Sequence, residues 1–151
     1  MRLVTAQGCF IIKVKEIHEK EEREKRWEAD RLETEKRKKE EKERFENLER
    51  AAKAGDIQAK KEVGEHYRKD ALKDLNARIA RIESYLGFGI AEVNKGYTMS
   101  QGVVNNCYAA LQELTPFKKA IEESAFSGFD DFVKWFDKMK EVEDKHKPYY
   151  T

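Results

Sequence analysis

"EIHEKEEREKRWEADRLETEKRKKEEKERFENLER", Glu16 to Arg50, contains few apolar residues and neither Gly nor Pro. Counted from Lys13 to Arg50, the segment holds 14 basic and 14 acidic residues, so it is densely charged yet carries no net charge. On a helix, residues four apart are neighbours. Nine such pairs run acid to base in the favourable direction, Glu16/Lys20, Glu22/Arg26, Glu33/Arg37 and Glu46/Arg50 among them, and eight more run base to acid. Only Glu24/Glu28 and Lys38/Lys42 place like charges together. At ~0.3 kcal/mol per favourable pair these contacts supply a few kcal/mol, enough for a helix that buries little. A coiled coil needs apolar residues throughout its seam. The best register here reads Trp27, Arg31, Thr34, Lys38, Glu41, Phe45, Leu48 and Ala52, apolar only at its ends. The segment therefore predicts a protruding charged rod, ~57 Å long at 1.5 Å per residue. It acts as a spacer or as a contact surface, with Trp27 and the run Lys36, Arg37, Lys38, Lys39 as its candidate contacts. Neighbouring Glu33, Glu35, Glu40, Glu41 and Glu43 dilute that basic run, which argues against direct nucleic-acid binding.

Beyond the rod the pattern changes. Asp56 after Gly55 reads as a helix cap, and Val63, Tyr67, Leu72, Leu75, Ile79, Ile82 and Leu86 form an apolar stripe ending at Gly87–Gly89. The glycines of "GFGIAEVNKGYTMSQG" lack the spacing of a phosphate loop and are expected to shape a turn. Ser100 is placed to cap a third helix through Val103, Val104, Cys107, Tyr108, Leu111 and Leu114. Thr115-Pro116 should open a fourth, with Thr115 as cap. A fifth follows Ser127-Gly128 and gathers Phe129, Phe132, Val133, Trp135, Phe136, Met139 and Val142 on one wide face. Ahead of the rod, Phe10, Ile12 and Val14 alternate with Ile11, Lys13 and Lys15, as in a short strand over residues 9–15 that pairs with another molecule or, the favoured alternative, an irregular segment docked on the bundle. The expected fold is thus all-α or nearly so. It divides into an N-terminal docking segment or short strand (1–15), a long charged helix (16–54) and a helical bundle domain (55–151).

Asp, Glu, Lys and Arg make up 40% of the chain, against a usual quarter. Cys9 and Cys107 match no disulfide or metal spacing, which fits a reducing interior. No stretch approaches the ~20 apolar residues that span a bilayer, and no membrane partner is expected. His18, His66 and His146 fall in no metal-binding spacing, so no metal and no cofactor is predicted. Cys107 sits on an apolar stripe, where a thiol is inert, and the carboxylate pairs lie beside lysines on polar faces, so no enzyme is predicted. Charge is more informative. Residues 60–81 hold seven bases against four acids, while 113–144 hold five against nine. Glu122, Glu123, Asp130, Asp131, Asp137, Glu141, Glu143 and Asp144 either face the basic helix internally or present an acidic surface to a basic partner. These eight are the candidate partner-binding residues.

"NKGYTMSQGVVNNCYAA", Asn94 to Ala110, resembles the "GYSMS" segments followed by a helix in small proteins of bacteriophages. In size, charged helical layout and lack of an active site, the chain is also similar to small phage or mobile-element inhibitors, including anti-CRISPR proteins. The resemblance implies a protein that occupies a host protein or nucleoprotein complex, in the cytoplasm of a bacterial host. It carries over no functional residue. The alternatives are a self-associating scaffold, with a homodimer as partner, and a weak nucleic-acid binder using Lys36–Lys39 and the basic helix.

Overall fold

The computed structural model describes residues 6–147 and forms five α-helices, with no strand among the described residues: α1 Ala6–Lys53, α2 Ile57–Asn94, α3 Ser100–Leu114, α4 Phe117–Glu123 and α5 Phe129–His146. The chain is all-α, a long charged helix followed by a small bundle. It falls into two units divided between Asn47 and Leu48.

In the first unit the described residues are helical throughout, so the short strand, one of the two alternatives for residues 9–15, does not form. A single strand has no edge to bond to, whereas a helix satisfies its backbone within itself. The apolar side chains of that segment, Phe10, Ile11, Ile12 and Val14, are exposed, as is Ile17 just beyond it. Along the rod, Arg26 reaches Glu22 at 3.9 Å, one of the acid-first pairs. Lys20–Glu24, Arg31–Glu35, Lys36–Glu40 and Lys42–Glu46 close base-first at 3.8–4.0 Å. Arg23 instead donates Nε to the Glu19 carbonyl at 3.3 Å. Trp27 is 68% exposed, with the Arg31 guanidinium 5.8 Å from its ring centroid.

The second unit begins within the last turns of α1. Gly55, at φ +101°, ends α1 there, and the Gly55 and Asp56 amides donate to the Ala52 and Ala51 carbonyls at 3.2 and 3.1 Å. Asp56 then caps α2 by accepting from the Ala59 amide at 3.0 Å. Tyr67 Oη donates to Glu49 Oε1 at 2.5 Å and ties that last stretch of α1 to α2.

Helix α2 does not stop at Gly87–Gly89. It runs on to Asn94, because Gly89 is buried where α3 folds back against it. A Cβ there would stand 3.0 Å from Val104 Cγ2. The turn comes at Gly96, φ +97°, whose amide donates to the Val93 carbonyl at 2.9 Å. Two expected caps also shift. Ser100 makes no capping bond, and Thr115 Oγ1 donates back to the Leu111 carbonyl at 2.7 Å, closing α3 while Pro116 takes the cap position of α4. Helix α5 runs alongside α2 in the same direction. Tyr67 packs against Phe129 and Phe132 near the start of α5, Arg78 lies 4.7 Å from the Phe136 ring, and Glu143 reaches Arg78 and Arg81 further on. Leu75, Ile82, Cys107, Leu114, Ile121 and Met139 are fully buried between these helices. Gly64 admits the link between α4 and α5: a Cβ on it would overlap the Phe126 carbonyl.

Candidate functional site

Helix α5 is positioned by its aromatic face. Phe129 stacks on Phe132, Phe136 lies tilted against Phe132, Trp135 meets Phe117 edge-on at 5.6 Å, and Met139 is fully buried. Asp131 fastens its start, accepting from the Ser127 amide at 2.8 Å and from Ser127 Oγ at 3.0 Å. Those bonds hold the Asp131 carboxyl below its ordinary range. With one side fixed, the remaining residues have a defined outward direction. At ~3.6 residues per turn, Asp130, Asp137, Glu141 and Asp144 fall on one face opposite Met139, and all four are exposed. With exposed Lys134 at their border, they make a carboxylate-rich stripe ~21 Å long at 1.5 Å per residue. Asp144 receives the Lys147 ammonium at 2.8 Å, which lowers its carboxyl pKa.

Glu122 and Glu123 are exposed on α4, where Ile121 is buried, and Glu123 pairs with Lys119 at 3.7 Å. The eight candidate acids therefore separate. Six are exposed, Asp131 is half-buried and engaged in a cap, and Glu143 is not a surface residue at all. It is 6% exposed, with Oε2 2.6 Å from Arg78 Nη1 and Oε1 3.0 Å from Arg81 Nη2. Arg78 is equally buried and also holds Asp74 at 2.7 Å. A buried carboxylate persists only with such partners. Glu143 thus takes the internal alternative, packing against the basic helix, and leaves the candidate surface.

The sequence held a signal for this ion pair that charge counting misses. Glu143 lies on the same helical stripe as Phe132, Phe136 and Met139, and Arg78 on that of Leu75 and Ile82. Two opposite charges, each at a core position of its own helix, are a pair waiting to be matched.

The rod candidates stay apart from this constellation in sequence and in character. Lys36, Arg37, Lys38 and Lys39 are exposed, and Lys36 is engaged by Glu40. Cys107 is fully buried, and desolvation pushes its thiol pKa up, away from nucleophilic use. His146 Nε2 and Lys145 Nζ both lie 2.8 Å from Glu113 Oε1, joining the ends of α3 and α5 and lowering the Glu113 carboxyl. A cleft of ≈ 380 Å³ opens beside the start of α5, with Glu49, Lys53, Lys60 and Asp130 in its lining. Among the described residues no group of His, Cys, Asp and Glu stands close enough together to hold a metal ion. No described helix is long and apolar enough to cross a membrane. Compared with known proteins, the chain matches no family model, no curated sequence and no solved structure.

Proposed function

We propose that the chain is a non-enzymatic interaction protein. The carboxylate stripe of α5, with Glu122 and Glu123 of α4, binds a basic surface on a host protein or nucleoprotein complex and blocks it. The observation that carries this reading is the sorting of acids on one helix: Glu143 turns inward to Arg78 and Arg81, while Asp130, Asp137, Glu141 and Asp144 are exposed on the opposite face. A helix already fixed by its core loses little freedom when its carboxylates meet a partner. Such a stripe favours cationic partners and steers their encounter. The inhibitory part of the reading rests on the resemblance of residues 94–110 to phage proteins and on the likeness of the chain to small mobile-element inhibitors.

A pull-down from bacterial lysate with mass spectrometry identifies the partner. The decisive comparison then sets Glu122, Glu123, Asp137 and Glu141 reversed to Lys against Lys36, Arg37, Lys38 and Lys39 reversed to Glu. The reading expects about tenfold or greater loss of affinity in the first variant and little in the second. Circular dichroism verifies that both remain folded. Loss confined to the rod variant discards the acidic face and turns attention to a rod contact or a nucleic acid.

A further inference from the structure

We propose that the first turns of α1, residues 10–20, lie on an anionic lipid surface. Phe10, Ile11, Val14 and Ile17 are each about half exposed or more, with Phe10 at 69%. At ~100° per residue they share one arc of roughly 120°, which also holds the exposed His18 and is closed at its far end by Glu21. Lys13 and Lys20 border that arc on one side and Lys15 on the other, while Glu16 and Glu19 fall on the opposite face. All five charged residues are exposed. Ile12 also falls on the back, and nothing in the structure explains it.

An apolar arc edged by lysines calls for an apolar occupant edged by negative charge. A second copy does not supply it. Phe10, Val14 and Ile17 would take d, a and d positions of a helix pair, with Lys13 and Lys20 at g and Glu21 and Glu24 at the next a and d. Parallel pairing sets Glu21 against its own copy, and antiparallel pairing sets Lys13 against Lys20. A phospholipid surface has the required order: acyl chains take the apolar side chains, and lysines at the border extend their ammonium groups to anionic headgroups. The expectation of no membrane partner rested on spanning length, which a helix lying in the interface does not need.

The proposal is independent of the acidic face of α4 and α5. Its test uses the full chain and sucrose-loaded vesicles of phosphatidylcholine, with and without about 30% phosphatidylserine. The chain should sediment with the anionic vesicles, more weakly with the neutral ones, and less as salt rises from about 0.1 to 0.5 M. Val14→Asp with Ile17→Asp should lower partitioning about tenfold or more, and Lys13→Gln with Lys15→Gln and Lys20→Gln several-fold. Because these side chains are exposed, thermal unfolding should be unchanged in both variants. Absence of sedimentation with either vesicle overturns the proposal and leaves an acid-rimmed groove on a protein as the occupant. Equal binding to both vesicles, or binding indifferent to the Asp substitutions, overturns it as well. So does a concentration-dependent dimer, seen by sedimentation velocity, that Val14→Asp abolishes.

Discussion

Helices α1 and α5 are both rich in charge, and they use it in opposite ways. In α1 both signs are spread around the circumference, so no side is apolar enough to bury over most of its length. In α5 the charges are sorted from the apolar residues: aromatic residues and Met139 hold one face, exposed carboxylates and lysines the other, and the one acid on the core side is matched by two arginines. The arrangement of charge, more than its amount, decides whether a helix joins a core. The largest test of that contrast is Glu143→Ala, which leaves Arg78 buried beside Phe136 with Asp74 as its remaining carboxylate. We expect a loss of about 3 kcal/mol in unfolding free energy by denaturant titration, the low end for a broken buried pair because Asp74 stays. A change within about 0.5 kcal/mol, the range of ordinary surface substitutions, would mean that Glu143 is in practice a solvent-facing residue.

The two tryptophans make a matched pair, one in each unit. Trp135 packs on Phe117 and carries the Lys138 ammonium 4.5 Å from its ring, whereas Trp27 is largely exposed beside Arg31. Trp135→Ala should cost about 2–3 kcal/mol, somewhat below a fully buried aromatic because the ring is only half-buried. Trp27→Ala should change stability by less than about 0.5 kcal/mol. Thermal and denaturant unfolding of both variants checks the difference. Equal costs would break the comparison, since they would mean that Trp27 has a packing partner of its own.

The same contrast explains what could be read from the residues alone. Helix order, the Asp56 cap and the aromatic face of α5 were legible because they rest on local rules of spacing and capping. Gly64, Gly89, the Glu143–Arg78 pair and the true end of α2 were not, because each depends on what another helix brings up against it. A glycine inside a helical pattern reads as a weakness until Val104 or the Phe126 carbonyl occupies the space its missing Cβ leaves. The strand, one of two alternatives for residues 9–15, does not form for the complementary reason: alternation is a local signal, but a strand needs a neighbour. In the candidate site, the acidic bias of residues 113–144 was legible and its division into inward and outward acids was not.

Tyr67 gives a smaller test at the boundary where α1 enters the packed unit. Burial, together with its hydrogen bond to Glu49, raises its pKa from about 10 to about 12. The neutral phenol is therefore favoured in the folded chain. Its contribution is complete below pH ~10 and is lost as pH rises through ~12, because the unfolded chain gives up the proton first. Absorbance at alkaline pH should reveal one tyrosine titrating near 12 that disappears in Tyr67→Phe. That substitution should also cost about 1 kcal/mol at neutral pH by removing the bond to Glu49. Titration of Tyr67 near 10 would dissolve the link between the last stretch of α1 and α2.

The smallest expected effect is the one that most directly separates the two kinds of charged helix. The rod pairs close at 3.8–4.0 Å with both partners largely in water, so each contributes only a few tenths of a kcal/mol. The Debye length falls from ~10 Å at 0.1 M salt to ~3 Å at 1 M, which removes much of that attraction. The Arg78–Glu143 pair is shielded by the protein around it and is screened far less. Raising salt across this range should therefore speed amide exchange over residues 18–47 by roughly two- to fivefold. Exchange along the buried stretch of α2 around Leu75 and Ile82 should stay nearly constant. The order of events matters more than the size: the rod should respond to salt while the bundle does not. If exchange in the rod is indifferent to salt, its ion pairs are not what keeps it helical. Backbone propensity, supplied by its many Glu, Lys and Arg residues, would then replace them as the cause.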